Sequence, residues 1–115
     1  MATVRWTLTA RGQFDQLQAA ASKAMGTRAR TGRSKSSRQE GLFKQVRKTV
    51  LLLAANPRHP GLQTHPYHSI QSPFDPKARV FEAYAQQHTP GAYRVFWCYG
   101  PGAGEVTILA ITPHP

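Results

Sequence analysis

Cysteine is nearly missing from this chain: Cys98 is the only one in 115 residues, so no internal disulfide can form and the cysteine-rich secreted scaffolds and zinc ribbons are excluded. Acidic side chains are scarce as well, with 5 Asp plus Glu against 15 Lys plus Arg, a net charge of +10. Such an excess points to a polyanionic partner, nucleic acid or an anionic surface. Long apolar runs are lacking. The longest, Val50 to Ala55, is about a third of a membrane span, and Met1 to Gly12 holds no stretch of signal-peptide type, so no membrane association and a cytoplasmic location are expected. Proline is absent before position 57, and all nine prolines lie from Pro57 onward. Long helices therefore belong in the first half, and short elements broken by turns in the second. At this length one domain over 1–115 is expected, without separate cofactor and substrate lobes.

What is present is unevenly spread. Residues 1–80 hold 14 basic and 3 acidic side chains, whereas 81–115 hold only Arg94 against Glu82 and Glu105. Val4 to Thr9 alternates as a short strand should, and from Phe14 the stripe of Phe14, Leu17, Ala21 and Ala24 predicts a helix ending near Gly26. The segment at about 27–38 has no apolar periodicity and is expected to be a mobile basic connection. Leu42, Val46, Val50 and Leu53 make the buried stripe of a second helix, which Asn56-Pro57 stops. A long irregular, Pro/His-rich connection follows from Arg58 to Pro76. Three strands are expected after it, Arg79 to Ala85, Ala92 to Tyr99 and Glu105 to Thr112, with turns at His88–Gly91 and Gly100–Gly104. The fold class is α+β, ordered βααβββ, an antiparallel sheet with two helices packed on one face.

This order resembles the RelE/ParE toxin superfamily over roughly residues 40 to 115. The features that carry the resemblance are the helix exit Asn56-Pro57-Arg58-His59-Pro60-Gly61-Leu62 and the strand Tyr93-Arg94-Val95, followed by Phe96-Trp97 and a last hydrophobic strand. The resemblance implies the toxin of a type II toxin–antitoxin system. In the ribosome-dependent branch such toxins cut mRNA on the ribosome and are neutralised by a cognate acidic antitoxin. ParE-like members share the fold but inhibit DNA gyrase, and a non-toxic relative that binds nucleic acid is a third possibility, so the residues must arbitrate.

RNA cleavage without a metal needs a base for the 2′-hydroxyl, a cation for charge building on phosphorus, and an acid for the leaving 5′-oxygen. Arg94 lies on the Tyr-Arg motif, where the resemblance implies a catalytic arginine, and its planar fork suits two phosphate oxygens; the alternatives are a solvated strand arginine or one paired with Glu82. His114 resembles the C-terminal histidine of YoeB-like members, although Pro115 stands where they carry a tyrosine; the alternative is a frayed tail. Glu82 and Tyr84 share a strand face that the register could set beside Arg94, as base and as phosphate or base contact, or as an ion pair and an ordinary aromatic. His59, His65 and His68 lie in the irregular connection as possible acids or bases. The His65-x2-His68 spacing lacks the companions of a structural zinc site, so no metal is expected.

Arg28, Arg30, Arg33, Lys35, Arg38, Lys44, Arg47 and Lys48 are the expected phosphate contacts, gripping rRNA or receiving the acidic antitoxin. Tyr93, Val95 and Trp97 form one strand face, with Phe96 and Cys98 on the other, and core packing is expected of them. The turn Gly100-Pro101-Gly102-Ala103-Gly104 has no helix after it and is not a dinucleotide loop, so no small-molecule cofactor is expected.

Overall fold

A computed structural model describes residues 1–32, 37–87 and 91–114. The elements in chain order are β1 (Thr3–Trp6), α1 (Leu8–Thr31), α2 (Arg38–Ala55), a short 3₁₀ turn (Pro60–Leu62), β2 (His65–Tyr67), β3 (Val80–Tyr84), β4 (Tyr93–Tyr99) and β5 (Glu105–Pro113). The five strands form one sheet in the order β1-β5-β4-β3-β2.

The two helices are set by their caps. Thr7 ends β1 and begins α1 at once, its hydroxyl accepting from the Ala10 backbone N–H, so the helix starts at Leu8 and not near Phe14. At its other end α1 runs to Thr31, beyond the expected stop near Gly26. The left-handed conformation of Gly32 (φ 72°) closes it, with the Gly32 N–H donating to the Arg28 carbonyl. The basic segment expected as a connection at 27–38 is therefore helical through Thr31, and Arg33 and Lys35 lie outside the described residues. α2 opens with a reciprocal capping box: Ser37 Oγ accepts from the Glu40 N–H, and Glu40 Oε2 accepts from the Ser37 N–H at 2.7 Å. It ends at Ala55 before Asn56-Pro57, as the sequence predicts.

Both helices cover one face of the sheet. Val46, Val50 and Leu53 of α2 and Ala10 of α1 pack with Leu62, Ala83, Val95, Trp97, Val106, Ile108 and Ile111 in a single buried cluster. Ile108 and Ile111 cannot share a face under a strict two-residue period. A register shift between Phe96 and Trp97 against β5 lets both turn toward the helices. The sheet is not wholly antiparallel: β1 pairs parallel with β5, Thr3 opposite Glu105 through Trp6 opposite Ile108. Two helices intervene between β1 and the rest, so the chain returns with the parallel sense that short turns cannot give. The irregular connection also supplies an edge strand, β2, paired antiparallel with β3. The opposite face of the sheet carries no helix over its β2–β3–β4 half, and alternation along those strands turns His65, Glu82, Tyr84, Arg94 and Phe96 to that side.

Candidate active site

Register places the reactive groups. His65 lies directly opposite Glu82 across β2 and β3, and Tyr84 directly opposite Arg94 across β3 and β4. His114 follows β5, and its backbone N–H donates to the Ala92 carbonyl at 2.8 Å, so the tail is tied to the sheet and not frayed.

Glu82 is the centre of the group. It is fully buried, at 0% exposure, and its two oxygens face different partners. Oε1 lies 3.0 Å from His65 Nε2 and 3.4 Å from Arg94 Nε, while Oε2 lies 3.2 Å from His114 Nδ1. A buried carboxylate with no cation would be strongly disfavoured, and Arg94, itself 8% exposed, supplies the compensating charge. The contacts at Oε1 are charge contacts without hydrogen-bond alignment, so a buried carboxylate oxygen and the Arg94 Nε are held close but unsatisfied.

Arg94 is turned inward. Its Nη1 donates to the Gln86 carbonyl at 2.6 Å and the Tyr93 carbonyl at 3.2 Å, and its Cζ sits 3.8 Å from the centre of the Tyr84 ring. Tyr84 in turn meets the His65 ring edge-on, centroids 5.2 Å apart. A guanidinium fixed on three sides keeps its charge under the site but cannot offer the open two-toothed fork that the sequence suggests.

Both histidines reach solvent, with side chains 43% exposed for His65 and 46% for His114. His114 turns Nδ1 to Glu82 Oε2, a contact that favours a proton on Nδ1. His65 faces acceptors with both nitrogens, Nδ1 toward the Gln63 carbonyl at 3.3 Å and Nε2 toward Glu82.

Of the residues singled out from the sequence, Arg94, Glu82, Tyr84, His114 and His65 come together. His59 does not: its Nδ1 accepts from the Gly61 N–H at 2.9 Å and caps the 3₁₀ turn. His68 is exposed at the end of β2 and makes no contact with Glu82. The carbonyls of Gln63 and Gln86, which orient His65 and Arg94, carry no sequence signal, because any residue supplies a carbonyl. Among the described residues no group of three or more His, Cys, Asp or Glu side chains is arranged to hold a metal ion.

The cations of the helices lie elsewhere. Arg30, Arg38, Lys44, Arg47 and Lys48 are exposed. Arg28 is committed to Glu40, Nη2 to Oε1 at 2.8 Å, and that guanidinium together with the Ser37 backbone N–H holds the Glu40 carboxyl at about 2.

No family model matches the chain, and no curated protein matches it in sequence. Solved structures do. A YoeB/ParE toxin from Agrobacterium tumefaciens aligns with a TM-score of 0.61 at 8% identity, over 98% of this chain and 99% of that one. A copper-bound mutant toxin from Helicobacter pylori aligns with a TM-score of 0.54 at 14% identity, over 99% of this chain and 96% of that one. At these identities the likeness is one of fold, and it bears out the RelE/ParE fold expected from the helix exit and the Tyr-Arg-Val strand.

Proposed function

We propose that this chain, which has the fold of the RelE/ParE toxins, is the toxin of a type II toxin–antitoxin pair and cuts mRNA on the ribosome with two histidines as acid and base. The observation that carries this reading is the placement of half-exposed His65 and His114 against the two oxygens of one buried carboxylate, on the helix-free side of the sheet.

The steps follow from the partners that each histidine faces. His114 Nε2 takes the proton of the RNA 2′-hydroxyl as its Nδ1–H is held by Glu82. The 2′-oxygen attacks phosphorus, the bond from phosphorus to the 5′-oxygen breaks, and that oxygen takes a proton from His65. The 3.3 Å contact of His65 Nδ1 with the Gln63 carbonyl is the one a substrate oxygen replaces. The products are a 2′,3′-cyclic phosphate and a 5′-hydroxyl. Glu82, with no exposed surface, touches neither group and is a positioning residue. Arg94 acts through its charge, fixed beneath the site before the phosphoryl group arrives, and Tyr84, half-buried between Arg94 and His65, is the aromatic surface a nucleotide meets.

Arg30, Arg38, Lys44, Arg47 and Lys48 on the helices serve docking, as sequence-independent contacts to rRNA phosphates. The same positive surface suits an acidic antitoxin in the cytoplasm. No described helix is long and apolar enough to cross a membrane.

Mapping message ends after induction tests the reading. New ends bearing 2′,3′-cyclic phosphate and 5′-hydroxyl are expected. Intact message with broken chromosomal DNA would instead assign the fold a gyrase-directed role, and harmless expression would assign a non-toxic one.

A further inference from the structure

We propose that the cleft beside β2 holds the nucleotide on the 3′ side of the cut, a single-stranded RNA subsite; this rests on the nuclease reading of the adjacent histidines. The cleft has a volume of about 510 Å³, within the range of small-molecule sites, and its walls are the end of β2 and the segment from Pro76 to Val80.

Its place in the sheet gives the direction. Tyr67 pairs with Val80 two residues along from the His65–Glu82 pair, a step of about 7 Å on the same face. His65 is the reactive group nearest the cleft, and it is the one that protonates the leaving 5′-oxygen. That oxygen belongs to the nucleotide after the cut, so this nucleotide extends toward Tyr67.

The lining suits it chemically. Exposed His68, Lys77 and Arg79 face the cleft and no carboxylate does. Among the described residues the side chains of Lys77 and Arg79 form no ion pair or hydrogen bond, while Asp75 is occupied in capping the Lys77 backbone N–H at 2.9 Å. Tyr67 offers a ring for base stacking and is itself held against buried Phe96, centroids 4.7 Å apart. Beneath the cleft Ile70 packs on Val80, Cys98 and Leu109, which gives the site a fixed apolar floor.

Binding of a fully 2′-O-methylated, uncleavable tetraribonucleotide, followed by fluorescence anisotropy, tests the subsite. The Lys77→Ala/Arg79→Ala double variant should bind about tenfold more weakly, with a log–log salt slope shallower by about 0.7 to 1.4. Tyr67→Leu, which still covers Phe96, should weaken binding about three- to tenfold without changing that slope. Unchanged affinity in the double variant would overturn the subsite. Cleavage of ribosome-bound message by the unaltered chain is measured alongside. Cutting with unchanged tetranucleotide binding in the double variant would retire the cleft alone, whereas weakened binding in the double variant of a chain that does not cut would keep the cleft and retire the nuclease reading.

Discussion

Oε2 of Glu82 lies 3.2 Å from Nδ1 of His114, across 32 residues of sequence, and Glu82 has no surface of its own in solvent. The relationship separates the group that touches substrate from the group that holds it. Glu82→Gln keeps the shape but removes the charge that favours a proton on His114 Nδ1. We expect kcat to fall about 10²- to 10⁴-fold with KM within threefold, and the pH–rate profile to change form. A purely structural Glu82 would lower the amount of folded enzyme and leave the profile of what remains unaltered.

Arg94→Lys separates two roles for that arginine. A lysine keeps the charge but cannot meet Glu82, two backbone carbonyls and the Tyr84 ring together. The expected loss is about 1–3 kcal/mol of stability, read from the urea midpoint, together with reduced cleavage. A variant as stable as the parent would show that the inward contacts contribute little.

Acid should loosen the junction of the two helices. Arg28 and the Ser37 N–H hold the folded Glu40 carboxyl at about 2, against an ordinary 4.5. Because the folded value is the lower one, this contribution is complete above about pH 4.5 and is lost as pH falls toward 2. The difference in urea midpoint between the parent and Glu40→Gln should therefore shrink over that window. A difference that stays constant from pH 5 to pH 2 would contradict it.

Cys98 should resist modification. It is fully buried, and burial pushes its thiol above the ordinary value while the Ser72 hydroxyl opposes only part of that shift. Iodoacetamide at pH 7.5 should label it only after denaturant is added, as mass spectrometry would show.

Much of this arrangement could be read from the chain, for identifiable reasons. The Leu42, Val46, Val50, Leu53 stripe and the Asn56-Pro57 stop are local signals, and α2 follows them. The C-terminal strands alternate clearly enough that Glu82 and Tyr84 fall on one face by counting, whereas setting Arg94 beside them takes the β3–β4 register. The early start of α1 was hidden because its first turn buries only the small side chain of Ala10: Leu8 is 94% exposed, and the Thr7 cap marks the boundary. Its extension to Thr31 depends on the Arg28–Glu40 pair and the Ser37 cap of the next helix, contacts between elements that periodicity does not register. β2 is three residues long and contains a proline, too short for alternation to declare it. That strand is also what selects His65 from the three histidines of its connection, through a partner 17 positions later. The inward turn of Arg94 was equally illegible, because it is directed by two carbonyl oxygens.

The most direct test of catalysis by His65 and His114 is the rate at which His114→Ala cuts ribosome-bound message, measured on protein whose thermal unfolding matches the parent. Catalysis by the two histidines predicts a loss of at least about 10²-fold, with the few remaining ends still 2′,3′-cyclic phosphates. Cutting at the parental rate would contradict it.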